Sequence, residues 1–105
     1  MANVYTLRYD QIVANGIVFD WDDGNIEHLA AHGVTPAEFQ QVLNNDPLDL
    51  DYEPVDNEKL YRSVGLTSAG RLLTVVFTVR NGRLRAVTAF PAGVADTKAF
   101  LERTR

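Results

Sequence analysis

Hydrophobic positions change their spacing along the chain, and the change marks out its elements. Ile12 to Ala14 and Ile17 to Phe19 flank Asn15-Gly16, two residues that tolerate positive φ, so an N-terminal hairpin is predicted within an extension covering residues 1–18. Ile26, Leu29 and Ala30 then fall at helical spacing behind Asp22, a residue suited to capping a helix, and Gly33 is placed to end it in a left-handed conformation. A short helix over about 23–32 is expected. Thr35-Pro36-Ala37-Glu38 opens a second helix with a capping threonine, proline at the first helical position and glutamate three residues after the cap. Val34 and Phe39 can staple its start, Phe39, Val42 and Leu43 supply its buried stripe, and Asn44 to Pro47 stops it.

Beyond Asp46 the period falls to two. Leu48, Leu50 and Tyr52 alternate with acids as on an exposed edge strand or extended loop, and strands follow over Leu60–Leu66, Leu72–Arg80 and Arg83–Phe90. Asn81-Gly82 joins the last two in a tight hairpin, which sets Arg80 opposite Arg83, Thr78 opposite Arg85, Phe77 opposite Ala86 and Val75 opposite Thr88. Leu73, Val75, Phe77 and Val79, with Leu84 and Phe90, then form an apolar face toward the helices. Arg80, Arg83, Arg85, Thr74, Thr78, Val76 and Val87 form the other. Arg62 alternates with Leu60, Val64 and Leu66 and so belongs nominally to the apolar face, unless a bulge in the Thr67–Gly70 connection turns it outward. A terminal helix from about Asp96, packing through Phe100 and Leu101, closes the fold. The expectation is a single α+β domain over residues 1–105, an antiparallel β-meander with short helices packed on one face.

Composition narrows the chemistry. The 105 residues include no cysteine and two histidines, which excludes disulfides, thiolate metal sites and a thiol nucleophile and makes a poor zinc site. No metal or other cofactor is expected, although the acids from Asp46 to Glu58 could gather a magnesium ion. No apolar run is long enough for a membrane span and no secretory leader pattern opens the chain, so a cytoplasmic location without membrane contact is expected. The net charge of −4 conceals a division: residues 1–58 hold twelve acids and one base, residues 59–105 nine bases and two acids. Such asymmetry fits a basic face that meets phosphate or an acidic partner, or else neutralisation between the halves.

The residues Phe19-Asp20-Trp21-Asp22, Asn25, His28, His32-Gly33-Val34, the Glu38 helix, the strands around Arg62 and Gly70-Arg71-Leu72-Leu73, and Val76-Phe77-Thr78 leading to Arg83-Leu84-Arg85 resemble the BrnT family, ribonuclease toxins of bacterial type II toxin/antitoxin modules with a RelE-like fold. The resemblance implies an RNA-cleaving toxin that inhibits translation. It also implies neutralisation by a cognate BrnA-like ribbon-helix-helix antitoxin that binds operator DNA, with no direct DNA binding by the toxin itself. Where members commonly carry Ser-Ala-Arg after the last strand, this chain has Thr88-Ala89-Phe90-Pro91. The missing arginine opens an alternative, a catalytically inactive scaffold kept for protein binding or regulation. An exposed strand edge also leaves room for a homodimer.

Metal-independent RNA cleavage needs a base for the 2′-hydroxyl proton, cations around the phosphorane and an acid for the departing 5′-oxygen. His28 and His32 are four apart and share a helix face with Asn25, and an imidazole titrates near neutrality. Alternatively, His32 serves only the helix end and His28 packs beside Trp21. Arg62, Arg71 and Arg85 are the candidate phosphate contacts, because guanidinium forks match phosphate oxygens. Arg71 could instead be a hairpin-end residue, and Arg85 could pair with the acidic segment. Trp21, Arg80 and Arg83 are candidate RNA-binding residues, with Trp21 either stacking on a base or lying in the core.

Overall fold

The computed structural model describes residues 18–103; the N-terminal hairpin expected around Asn15-Gly16 lies outside the described residues. Helices α1 (Asp23–Ala31) and α2 (Pro36–Asn44) come first. Strands β1 (Leu48–Val55), β2 (Glu58–Leu66), β3 (Leu72–Arg80) and β4 (Arg83–Pro91) and helix α3 (Val94–Glu102) follow. The strands form one antiparallel sheet in chain order, so the fold is α+β around a β-meander.

Local chemistry explains the boundaries. Asp22 and Asn25 close a reciprocal capping box on α1, and Thr35 and Glu38 do the same on α2 with Pro36 at its start. Each such cap is worth about 1 kcal/mol. Gly33 ends α1 at φ 72°, where a Cβ would be strained. Asn81 and Gly82 turn β3 into β4 with φ 50° and 75°. Asp56 and Asn57 do the same between β1 and β2 at φ 49° and 66°, a turn whose Asp-Asn signal was readable but not singled out by hydrophobic spacing.

The core lies between the sheet and the first two helices. Leu29, Val34, Phe39, Val42 and Leu43 meet Tyr61, Leu73, Val75, Phe77, Leu84, Ala86 and Ala89 there, with Phe19, Trp21 and Val79 packed at its margin. Strand β2 passes closely beneath α2: a Cβ on Gly65 would stand 3.2 Å from both Pro47 Cα and Val42 Cγ1. On α1 the buried residues are Asn25 and Leu29, whereas Ile26 and Ala30 of the expected stripe are exposed.

Two features rearrange the expected faces. A bulge between the Val76 and Phe77 pairings puts Ala89, not Thr88, opposite Val75, and Phe90 opposite Thr74. One extra residue, Val87, turns the end of β4 over, so Phe90 leaves the apolar set. On β2 it is Tyr61 and Ser63 that register with Phe77 and Val75, while Arg62 and Val64 register with Val76 and Thr74. Arg62 therefore reaches the second face through ordinary alternation, without any bulge in the following loop. That face has its own cover, since Asp96 of α3 accepts a 2.7 Å hydrogen bond from Thr74 Oγ1 and pairs with Arg62 at 3.5 Å. Phe100 is buried, whereas Leu101, expected to pack beside it, is 60 % exposed.

Candidate active site at the histidine helix

Because Asn25 and Leu29 take the inward stripe of α1, the neighbouring stripe carries His28 and His32 into solvent. Their ring centroids are 5.5 Å apart, and His32 meets the ring of Phe90 at 6.4 Å. Asn25 is not part of this surface. Its Oδ1 accepts from the Asp22 N–H and its Nδ2 donates to the Asp20 carbonyl. His28 does not pack on Trp21, whose ring stacks on Phe19 at 6.0 Å and meets Phe39 edge-on at 5.7 Å. Trp21 thus belongs to the core margin, with its Nε1 buried and, among the described residues, without an acceptor.

One residue beyond His32, the Gly33 carbonyl accepts a 3.1 Å hydrogen bond from Arg71 Nη1. The same nitrogen donates to Glu38 Oε2 at 2.7 Å. Arg71 is therefore no mere hairpin end: it ties the β2–β3 loop to both helices. Among the described residues its Nε and Nη2 have no partner, so part of the fork stays available to a phosphate. The Arg71 hydrogen bond, followed by the Thr35 N–H, lowers the Glu38 pKa below the usual carboxylate value.

The other arginines are dispersed. Arg62 stands on the far sheet face between Asp51, 2.9 Å from its Nε, and Asp96. Arg85 pairs with Asp22 at 2.7 Å and lies 3.9 Å from Asp20, near the start of α1 and not on the acidic β1 segment. The Asn25 N–H first, and then Arg85, hold the Asp22 carboxyl low. Arg80 holds Glu58 through both its Nε and Nη2. Opposite it, Arg83 is exposed with no ion pair among the described residues. The candidate phosphate contacts Arg62, Arg71 and Arg85 are thus separated: Arg62 is on the far face, Arg85 at the start of α1, and Arg71 at its end, on the Gly33 carbonyl next to His32. Sequence spacing missed Phe90 beside His32, because the bulge at Val87 decides where that ring points. It also missed Glu38 as an arginine partner, since the capping role already accounted for it.

The β-meander, the capped helix pair and the exposed imidazoles define an α+β fold in which His28, His32 and Arg71 lie on the helix side while the other sheet arginines are dispersed. The family of the ribonuclease toxin, BrnT, of the type II toxin-antitoxin system matches residues 21–93, and the chain belongs to that family. No curated protein matches the chain. Among the described residues no helix is long and apolar enough to cross a membrane, and no group of three or more His, Asp or Glu side chains gathers as a metal site.

Proposed function

We propose that the protein is a metal-independent endoribonuclease that inhibits translation in the cytoplasm, with His28 and His32 as the proton-transfer pair and Arg71 as the phosphate contact. The observation that carries this reading is the exposed imidazole pair beside a guanidinium with unused donors. One imidazole takes the 2′-hydroxyl proton as the 2′-oxygen bonds to phosphorus. The other gives a proton to the 5′-oxygen as its bond to phosphorus breaks, and Arg71 stabilises the charge that builds on the phosphoryl oxygens. Two imidazoles cover both proton transfers, so the step asks for no metal. A cognate antitoxin of the BrnA type would neutralise the toxin by covering this surface, and the acidic balance of the chain disfavours direct DNA binding.

The test is expression in a bacterial host with RNA ends mapped, repeated on purified protein with a chelator present. Wild type should cleave under both conditions, and His28→Ala with His32→Ala should lose about 10²–10⁴-fold in rate. Intact RNA and normal growth at high levels of folded protein would defeat the proposal.

A second reading, an inactive antitoxin-binding scaffold, is favoured by two observations. Arg62, Arg80 and Arg85 are each committed to carboxylates, and a phenylalanine occupies position 90. Under that reading the antitoxin binds wild type and the histidine variant alike, and neither cleaves RNA.

A further inference from the structure

A concave surface opens beside Arg71, whose N–H donates to Thr67 in its lining. It is a groove of about 620 Å³ between α2 and the β2–β3 loop, lined by Gln40, Gln41, Asn44, Asn45, Thr67 and Ser68. In a chain with many charges, these carry amides and hydroxyls, and the remaining lining residue, Ala37, is uncharged as well. Gln41 Oε1 accepts from the Ser68 N–H at 3.0 Å, Asn45 Nδ2 donates to the Leu66 carbonyl at 3.1 Å, and Thr67 Oγ1 accepts from the Arg71 N–H at 3.0 Å. These three contacts fix the wall of the groove. The amides of Gln40 and Asn44, one helical turn apart on the same face of α2, have no side-chain partner among the described residues, and Gln40 is half-buried.

We infer that this groove is a nucleobase subsite for single-stranded RNA, a reading that rests on the proposed nuclease activity and extends it to substrate choice. Three lines of chemistry converge. A carboxamide offers a donor and an acceptor side by side, the pattern that pairs with the edge of a base, and a groove without charge does not select for phosphate or cations. The phosphate contact lies next door: Glu38, which holds Arg71, and Gln41, which lines the groove, are three residues apart on α2 and so separated by about 4.5 Å along its axis. A strand whose phosphate meets the free side of the Arg71 fork brings an adjacent base to the groove. The rigidity of the wall also matters, because Gln41, Asn45 and Thr67 are already held and the two unpaired amides are presented on a helix instead of a loop.

Binding is measured by fluorescence anisotropy with short labelled 2′-O-methyl oligonucleotides of A, C or U, which cannot be cleaved through a 2′-hydroxyl. The expected result is that wild type ranks the three oligomers. Gln40→Ala with Asn44→Ala then weakens the preferred one about tenfold or more, flattens the ranking and leaves the salt dependence unchanged, since no cation is removed. Circular dichroism and melting of the variant should match wild type. An unchanged ranking overturns the subsite, as does failure of wild type to bind any oligomer. Loss of antitoxin capture with RNA binding intact also overturns it and assigns the groove to a protein partner. The nuclease reading fails separately, through the cleavage assay on the histidine variant, which leaves the groove untouched.

Discussion

The two faces of the sheet use the same kinds of residue for different ends. Beneath α1 and α2, a continuous apolar cluster centred on Phe39 and Phe77 carries the load, and the polar groups around it, His28, His32 and Arg71, are left partly exposed. Beneath α3 the packing is thinner. Val64 and Phe100 are buried, but much of the contact runs through Asp96, which receives both Thr74 and Arg62. An arginine held by two carboxylates has its charge spent within the fold, whereas one held by a single carboxylate and a carbonyl keeps donors for a ligand. The comparison teaches that exposure of an arginine does not by itself mark a site; what matters is how much of its fork is already used.

The largest effect that would test the contrast is on stability. Phe39 is fully buried in the main cluster, so Phe39→Ala should cost about 3–5 kcal/mol in chemical denaturation. Phe100, at the thinner face and 9 % exposed, should cost less when truncated. Equal losses would show that α3 is as integral to the fold as α2 and would erase the difference between the faces.

Next in size is the contrast between the two arginines. Arg71→Gln should lower RNA cleavage by about 10²–10³-fold while the melting temperature moves little, since Arg71 is a partly exposed residue with a partly exposed partner. Arg62→Gln should leave cleavage per folded molecule near wild type and likewise move the melting temperature little, since its pairs with Asp51 and Asp96 are also partly exposed. A loss of cleavage in Arg62→Gln as large as in Arg71→Gln would mean that the far face takes part in the chemistry.

What could be read in advance follows from how local each signal is. The start of α2 was legible because Thr35, Pro36 and Glu38 act within one turn, and the β3–β4 register near the turn was legible because Asn81-Gly82 permits one hairpin geometry. The far end of that hairpin was not, since no residue type around Val87 announces the extra residue. Phe90 consequently lies with Thr74, on the face opposite to the one that alternation predicts. The side of the sheet that Arg62 occupies depends on which alternation of β2 faces the helices, and with apolar residues at Leu60, Val64 and Leu66 the pattern pointed the other way. Only the presence of α3 over the second face explains why those positions are apolar. The histidine pair was legible from its spacing on α1, whereas the link from Gly33 through Arg71 to Glu38 joins residues 33 and 38 positions apart, beyond the reach of any local pattern.

The smallest effect concerns acid. Hydrogen bonds from Arg71, from the Asn25 N–H and from Arg80 hold the Glu38, Asp22 and Glu58 carboxyls, respectively, below their ordinary values. A carboxyl whose native pKa is depressed binds fewer protons in the folded state than in the unfolded chain. Its contribution is therefore present above the unfolded value, about 4, and fades as the pH falls through the native one. Melting temperatures measured from pH 6 down to pH 3 should accordingly hold in the upper part of the range and drop below about pH 4. Glu38→Gln should make that drop shallower by one group and, at neutral pH, should free Arg71 Nη1 from its carboxylate while the Gly33 carbonyl keeps the side chain in place. Binding of the uncleavable oligonucleotides should then tighten. If the acid slope softens but RNA binding does not change, Glu38 serves only to brace the loop on α2, and any phosphate contact of Arg71 rests on its Nε and Nη2, not on Nη1.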